Sequence, residues 1–171
     1  MTTIGKTMQD AMNEQINKEF FSSYLYLSMA AYFEDRNLTG FARWLRLQAD
    51  EEREHAMKFY NFILDAGGRV QLTAIDAPAT EWNSNLEVAE HVAEHEGKVT
   101  ASIHALYELA LKEKDYPAQV MLQWFISEQV EEEKNAAELV AKLRMIEERG
   151  TAVLMLDHRL SKRGGEEGGE E

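Results

Sequence analysis

The chain has 171 residues, no cysteine and a formal net charge of −13. That length holds one domain, and the missing cysteine excludes disulfides, thiolate zinc sites and thiol chemistry. The charge disfavours nucleic acid and anionic membranes as partners and favours cations.

No run approaches the roughly 18 apolar residues of a membrane span. The start, Met1-Thr2-Thr3-Ile4-Gly5-Lys6, has no apolar signal core, so no membrane association and a cytoplasmic location are expected. The spacing predicts a first helix from about Lys6 to Asp35, with the stripe Met8, Met12, Gln15, Glu19, Ser22, Tyr26, Met29 and Phe33. Asn37-Leu38-Thr39-Gly40 is a turn, with Asn37 or Thr39 as the expected cap of the next helix.

The second helix, about 38 to 66, ends at Gly67-Gly68 and contains Gln48-Ala49-Asp50-Glu51-Glu52-Arg53-Glu54-His55. Its buried stripe runs Phe41, Leu45, Gln48, Glu52, His55, Phe59, Phe62, Ala66. Glu52 and His55, three apart, share one helix face where the pattern demands Leu. An ionised carboxylate buried without a partner is very costly, and a metal ion is one way to compensate it. Arg53 or Lys58 is another.

Residues 67 to 84 contain Pro78 and show no helical period. The third helix, about 85 to 113 with Ser84 or Asn85 as cap, carries Ala89, Val92, Glu96, Val99, Ile103, Leu106 and Ala110. Asp115-Tyr116-Pro117 is a tight junction with Asp115 as N-cap. The fourth helix, about 116 to 148, carries Met121, Phe125, Glu128, Glu132, Ala136, Leu139, Leu143 and Ile146, and Gly150 is expected to stop it. Thr151 to Leu160 reads as a short fifth helix, and residues 161–171 as an acidic, Gly-rich flexible tail after a 1–160 bundle.

No strand pattern of useful length appears, so the fold class is all-α. Short turns make each helix pair an antiparallel hairpin. The long connection reaches roughly 60 Å at about 3.3 Å per residue, enough to span the bundle and start the third helix parallel to the second. Glu19, Glu52 with His55, Glu96 and Glu132 each lie within about a turn of their helix's midpoint. Mid-height is the same level whichever way a helix runs, so the groups converge. No Lys or Arg on the stripes neutralises them there. Oxygen-rich ligation with one imidazole suits iron or manganese better than structural zinc, and Glu52 is the natural bridge between two ions.

At these residues the chain resembles the non-haem ferritins of bacteria and archaea. The matching pieces are Asn13-Glu14-Gln15-Ile16-Asn17-Lys18-Glu19, Ser22-Ser23-Tyr24-Leu25-Tyr26, Glu51-Glu52-Arg53-Glu54-His55, Asp115-Tyr116-Pro117, and the run from Leu122 through Trp124, Gln129 and Glu132 to Lys134. They span roughly residues 6 to 160 of the ferritin-like bundle type, in which one long crossover joins two hairpins. The fourth helix has Gln129-Val130-Glu131-Glu132 and no His, which departs from bacterioferritin-type and reductase-type sites, so no haem is expected.

The resemblance implies a first iron on Glu19, Glu52 and His55 and a second on Glu52, Glu96 and Glu132, with Gln129 close by. It matches Glu51, Glu128 and Glu131, with Glu132, to a third, inner iron site of some family members. Tyr26 matches the tyrosine beside the diiron centre and Trp124 a nearby tryptophan. The implied activity is a ferroxidase: two Fe(II) per subunit react with O₂ or H₂O₂, and Fe(III) passes to a mineral core in a homo-oligomer of about 24 subunits.

Other residues have blander readings. Glu54 and Glu133 read as solvated charge, and Glu51, Glu128 and Glu131 read equally as solvated charge or as ligands. His91 and His95, four apart, could hold a surface metal, but with His104 they read first as a solvent face. Tyr24, Leu25, Tyr32 and Trp44 lie off the main stripes and imply a subunit contact, and Ala152-Val153-Leu154-Met155-Leu156 has no obvious place in a four-helix core. Two rival functions stand beside storage: a diiron enzyme without a shell, and a structural bundle with an acidic core. Shell size and metal titration separate them.

Overall fold

Two antiparallel hairpins form the bundle in the computed structural model, which describes residues 3–163. The first pairs α1 (Lys6–Asp35) with α2 (Thr39–Asp65), and the second pairs α3 (Asn85–Glu113) with α4 (Tyr116–Ile146). A short α5 (Gly150–Leu160) packs on α2 and α4. No strand occurs among the described residues. Of the tail expected to be flexible, 161–171, residues 161–163 form a turn after α5, and residues 164–171 lie outside the described residues.

The crossover runs the length of α1, held by polar side chains of that helix. Asn13 Nδ2 donates to the Arg69 carbonyl, Asn17 Nδ2 to the Ala74 carbonyl, and Ser28 Oγ to the Ala79 carbonyl. Trp82 then packs edge-on against Tyr32, with ring centroids 5.5 Å apart. An irregular segment must place its backbone groups somewhere, and α1 supplies those partners in ascending order. The third helix therefore starts beside the end of α1, where α2 also starts, and runs parallel to α2.

The helix ends follow local chemistry at most positions. Ser84 Oγ accepts from the Glu87 amide at 3.0 Å, and Asp115 Oδ1 from the Ala118 amide at 3.1 Å. Gly67, at φ 70°, closes α2, and Asn37, at φ 57°, follows α1. The start of α2 departs from expectation. Leu38 is the cap residue and gives no side-chain bond. Its capping acceptor comes from α5 instead: Asp157 Oδ1 accepts from the Phe41 amide at 2.9 Å. A Cβ on Gly40 would lie 1.8 Å from the Asp157 carbonyl oxygen, so only glycine lets α5 come this close.

Gly150 does not stop α4. The helix ends at Ile146, Glu147 and Glu148 adopt φ 49° and 56°, and Gly150 opens α5. Two left-handed non-glycine residues are strained, and tertiary bonds offset this. Glu148 accepts from Asn85 Nδ2 at 2.8 Å and from the Leu86 amide at 3.2 Å, so it caps α3.

A polar band at mid-height divides the core. On one side lie Met8, Met12, Ile16, Phe59, Ile63, Ile103, Leu122 and Phe125. On the other lie Leu25, Met29, Phe33, Phe41, Leu45, Val88, Leu139 and Leu143. The second also takes in Val153 and Leu156, so the fifth helix does have a place in the subunit core. Leu25, Tyr32 and Trp44 are buried there too, which removes them from the expected subunit contact; of that set Tyr24 alone stays exposed, at 51%. On α4 the buried stripe is Ala118, Leu122, Phe125, Gln129, Glu132, Ala136, Leu139 and Leu143. The expected stripe sat one residue off at Met121 and Glu128, which are half-buried.

Candidate metal centre

One carboxylate from each long helix enters the polar band. Glu19, Glu52 and Glu96 are each 1% exposed, and His55 and Glu132 each 4%. One ligand atom each of Glu19, Glu52 and His55 lies within 4.8 Å of the others. The i, i+3 spacing on α2 sets His55 Nδ1 3.4 Å from Glu52 Oε2. Trp124 stands edge-on to the His55 ring at 5.5 Å, with Lys58 Nζ 4.1 Å from its own ring centre.

Three glutamine amides hold the other carboxylates. Gln15 Nε2 donates to Glu19 Oε1 at 2.8 Å, Gln48 Nε2 to Glu132 Oε2 at 2.8 Å, and Gln129 Nε2 to Glu96 Oε2 at 3.1 Å. The Tyr26 hydroxyl donates to Glu96 Oε1. Ser102 donates to Gln15 Oε1, which turns that amide's NH₂ toward Glu19. Against this supply, Glu19 Oε2 and both oxygens of Glu52 are buried with no hydrogen-bond partner. A buried acceptor left unmade costs about 1–3 kcal/mol, more when charged. Three such oxygens beside an imidazole form a donor set that fits a hard or borderline cation.

The electrostatics agree. Burial, then the neighbouring Glu52 charge, holds the Glu19 carboxyl well above its ordinary range. Burial and Glu96 do the same to Glu52, and burial raises Glu96 itself. Burial, reinforced by Glu96, pushes Glu132 up to about 7. Burial and Glu96 also raise the Tyr26 phenol. Like charges crowded in a dry site hold protons until a cation replaces them.

The residues expected to form an inner site are less buried than the mid-bundle carboxylates. Glu51 and Glu128 are half-buried, and Glu131 is exposed. Glu51 is instead gripped by Arg163, whose Nη2 donates to both carboxylate oxygens at 3.1 and 3.0 Å. The same guanidinium donates through Nη1 to Gln48 Oε1. The cation missing from the stripes thus reaches the site's edge from beyond α5. Sequence reasoning missed this, as it missed the work of Gln15 and Gln48; their positions on the buried stripe were the available signal.

His91 and His95 do not form a solvent face. His91 Nδ1 accepts from Trp82 Nε1 at 3.0 Å, and His95 Nε2 lies 2.7 Å from Ser22 Oγ. Burial pushes the His95 pKa down to about 4, so its ring is neutral at pH 7. His104 is exposed.

Residues 9–146 match the Ferritin family, described as a ferritin-like domain. The chain belongs to the ferritin family. A bacterial non-heme ferritin of Bacteroides fragilis is 41% identical over 160 residues, covering 94% of this chain and 99% of its own. One from Staphylococcus saprophyticus is 45% identical over 130 residues, 76% of this chain and 78% of its own. Among solved structures, an open pore ferritin from the archaeon Archaeoglobus fulgidus superposes with TM-score 0.94 at 50% identity, covering 95% of this chain and 99% of its own. An engineered closed form of that ferritin gives TM-score 0.93, also at 50% identity, over 94% and 98%. These ferritins share the bundle and its hairpin order, and the resemblance drawn from the motifs holds along nearly the whole chain.

Proposed function

We propose that this ferritin-family chain stores iron, oxidising Fe(II) at the mid-bundle carboxylates and passing Fe(III) to a mineral core inside a shell of about 24 subunits. The observation that carries the reading is the set of unpartnered buried oxygens on Glu19 and Glu52 beside His55. One Fe(II) would be held by Glu19, Glu52 and His55. A second would be held by Glu52, Glu96 and Glu132, with Gln129 orienting Glu96. Among the buried carboxylates of the described residues, Glu52 alone has both oxygens unpartnered, as a bridge between two ions requires.

Iron here is substrate and cargo. Two Fe(II) give one electron each to O₂, making H₂O₂ with two protons, or to H₂O₂, making two waters with two protons. The protein's part is to bind, orient and exclude water. Incoming cations displace protons from the raised carboxyls. Tyr26 keeps Glu96 aimed by its hydroxyl bond, and the apolar layers on both sides keep the site dry. Glu51, Glu128 and Glu131 would receive a third ion on its way to the interior. Among the described residues, no helix is long and apolar enough to cross a membrane.

Anaerobic Fe(II) titration of the assembled protein tests the reading. We expect two tight ions per subunit and rapid oxidation on adding O₂, both lost in Glu52→Ala. Glu131→Ala should keep the first turnover and change later ones. Absence of tight sites in the parent protein would falsify the ferroxidase reading.

A further inference from the structure

We infer that Arg163 is a positioning residue that guards the Glu51 edge of the metal centre, so that a cation seeking Glu51 must first displace a guanidinium. The inference rests on the ferroxidase reading above. Its observation is separate, because Arg163 lies beyond the residues that match the family and beyond α5.

The arginine is held from several directions. Nη2 binds both oxygens of Glu51, at 3.1 and 3.0 Å, and Nη1 binds Gln48 Oε1. The guanidinium carbon lies 5.2 Å from the Trp44 ring centre, and the Arg163 carbonyl accepts from the Arg43 guanidinium at 3.4 Å. The Arg163 side chain is 26% exposed, so its charge is only partly screened. A guanidinium has donors and no acceptor. It therefore fixes the Gln48 amide with Oε1 outward and NH₂ on Glu132. One side chain thus separates Arg163 from a carboxylate of the centre. An arginine is well suited to this task because its planar fork matches a carboxylate.

A cation bound at Glu51 would meet a fixed positive charge and lose one carboxylate to it. Removing that charge should strengthen the third-ion site at Glu51, the weaker class beside the two tight ions, on the order of tenfold, the scale of one unit charge a few ångströms away in a partly wet site. The test is anaerobic Fe(II) titration by calorimetry on the assembled parent protein, Arg163→Gln, Arg163→Lys, Glu51→Gln and the Arg163→Gln/Glu51→Gln pair. We expect Arg163→Gln to tighten the weaker class about tenfold, Arg163→Lys to stay near the parent, and the gain to vanish in the Glu51→Gln background. A weaker class unmoved by Arg163→Gln, or a gain that persists without the Glu51 charge, overturns the guarding role and leaves the ferroxidase reading standing. An Arg163→Lys protein that behaves as Arg163→Gln overturns it as well, since charge would not be the cause. A parent protein with no tight sites overturns both.

Discussion

Glu52 concentrates the energetics of the site in one side chain, buried with both oxygens unpartnered. Its neighbours make the metal-free protein sensitive to pH in a definite direction. Glu19, Glu52, Glu96 and Glu132 all have folded-state pKa values above the ordinary glutamate value. The folded chain therefore binds more protons than the unfolded chain between about 4.3 and the folded values. Stability from these groups is full below that window and is lost as pH rises through the folded values, near 7 for Glu132. Chelated protein should melt at falling temperature from pH 5 to 8, and Glu132→Gln should flatten the fall. Identical slopes in the two proteins would remove Glu132 from the account. Bound metal should reverse the trend, since cation affinity rises as protons leave, adding about 2.7 kcal/mol when free metal is a hundredfold above Kd. The five ionisable residues were legible because each breaks an apolar stripe. Gln15 and Gln48 were on those stripes too, and that position marked them, but an amide there does not name its partner. Arg163 was not legible at all: its carboxylate partner stands 112 residues away in the chain.

The four long helices were legible at the level of the element, because an apolar stripe marks each, with side-chain caps at the starts of α3 and α4 and Pro117 in the first turn of α4. Ser84 and Asp115 cap as local rules require. The misses came where a distant segment overrode a local rule. Asp157 of α5 supplies the acceptor at the start of α2, so neither Asn37 nor Thr39 is needed there. Glu148 takes a left-handed conformation to reach Asn85, so α4 ends before Gly150. A seam placed one residue early on α4 put Glu128 inward in place of Gln129, since both alternations fit an apolar-rich helix. The close approach of α2 and α5 yields a test. Gly40→Ala must push α5 off α2, because backbone and not a flexible side chain stands 1.8 Å from the new Cβ. The expected loss is about 1–3 kcal/mol, read as a lowered melting temperature, with Ala42→Gly on the same helix as a control for propensity. An unchanged melting temperature would mean that α5 contributes little to the subunit.

Across the whole molecule, the fifth helix has two faces with different duties. Val153 and Leu156 are buried against α2 and α4, while Leu154 is 61% exposed beside Met155. Charging Leu156 should therefore unfold the local structure, whereas Leu154→Glu should spare the subunit and weaken its association with copies of itself. Sedimentation resolves the two: a folded, smaller species for Leu154→Glu supports a contact there, and an intact parent-size particle argues against one. Tyr24 and Leu27 on α1 offer a second apolar strip for the same purpose. Size and metal content together carry the storage reading, and native mass measurement of the assembled protein reads both at once. The expected result is a particle of about 24 chains that takes up two Fe(II) per subunit without oxygen and far more iron after oxygen is admitted. A stable monomer or dimer at micromolar concentration and physiological salt, or a shell that gains no iron beyond its surface charge, would contradict it.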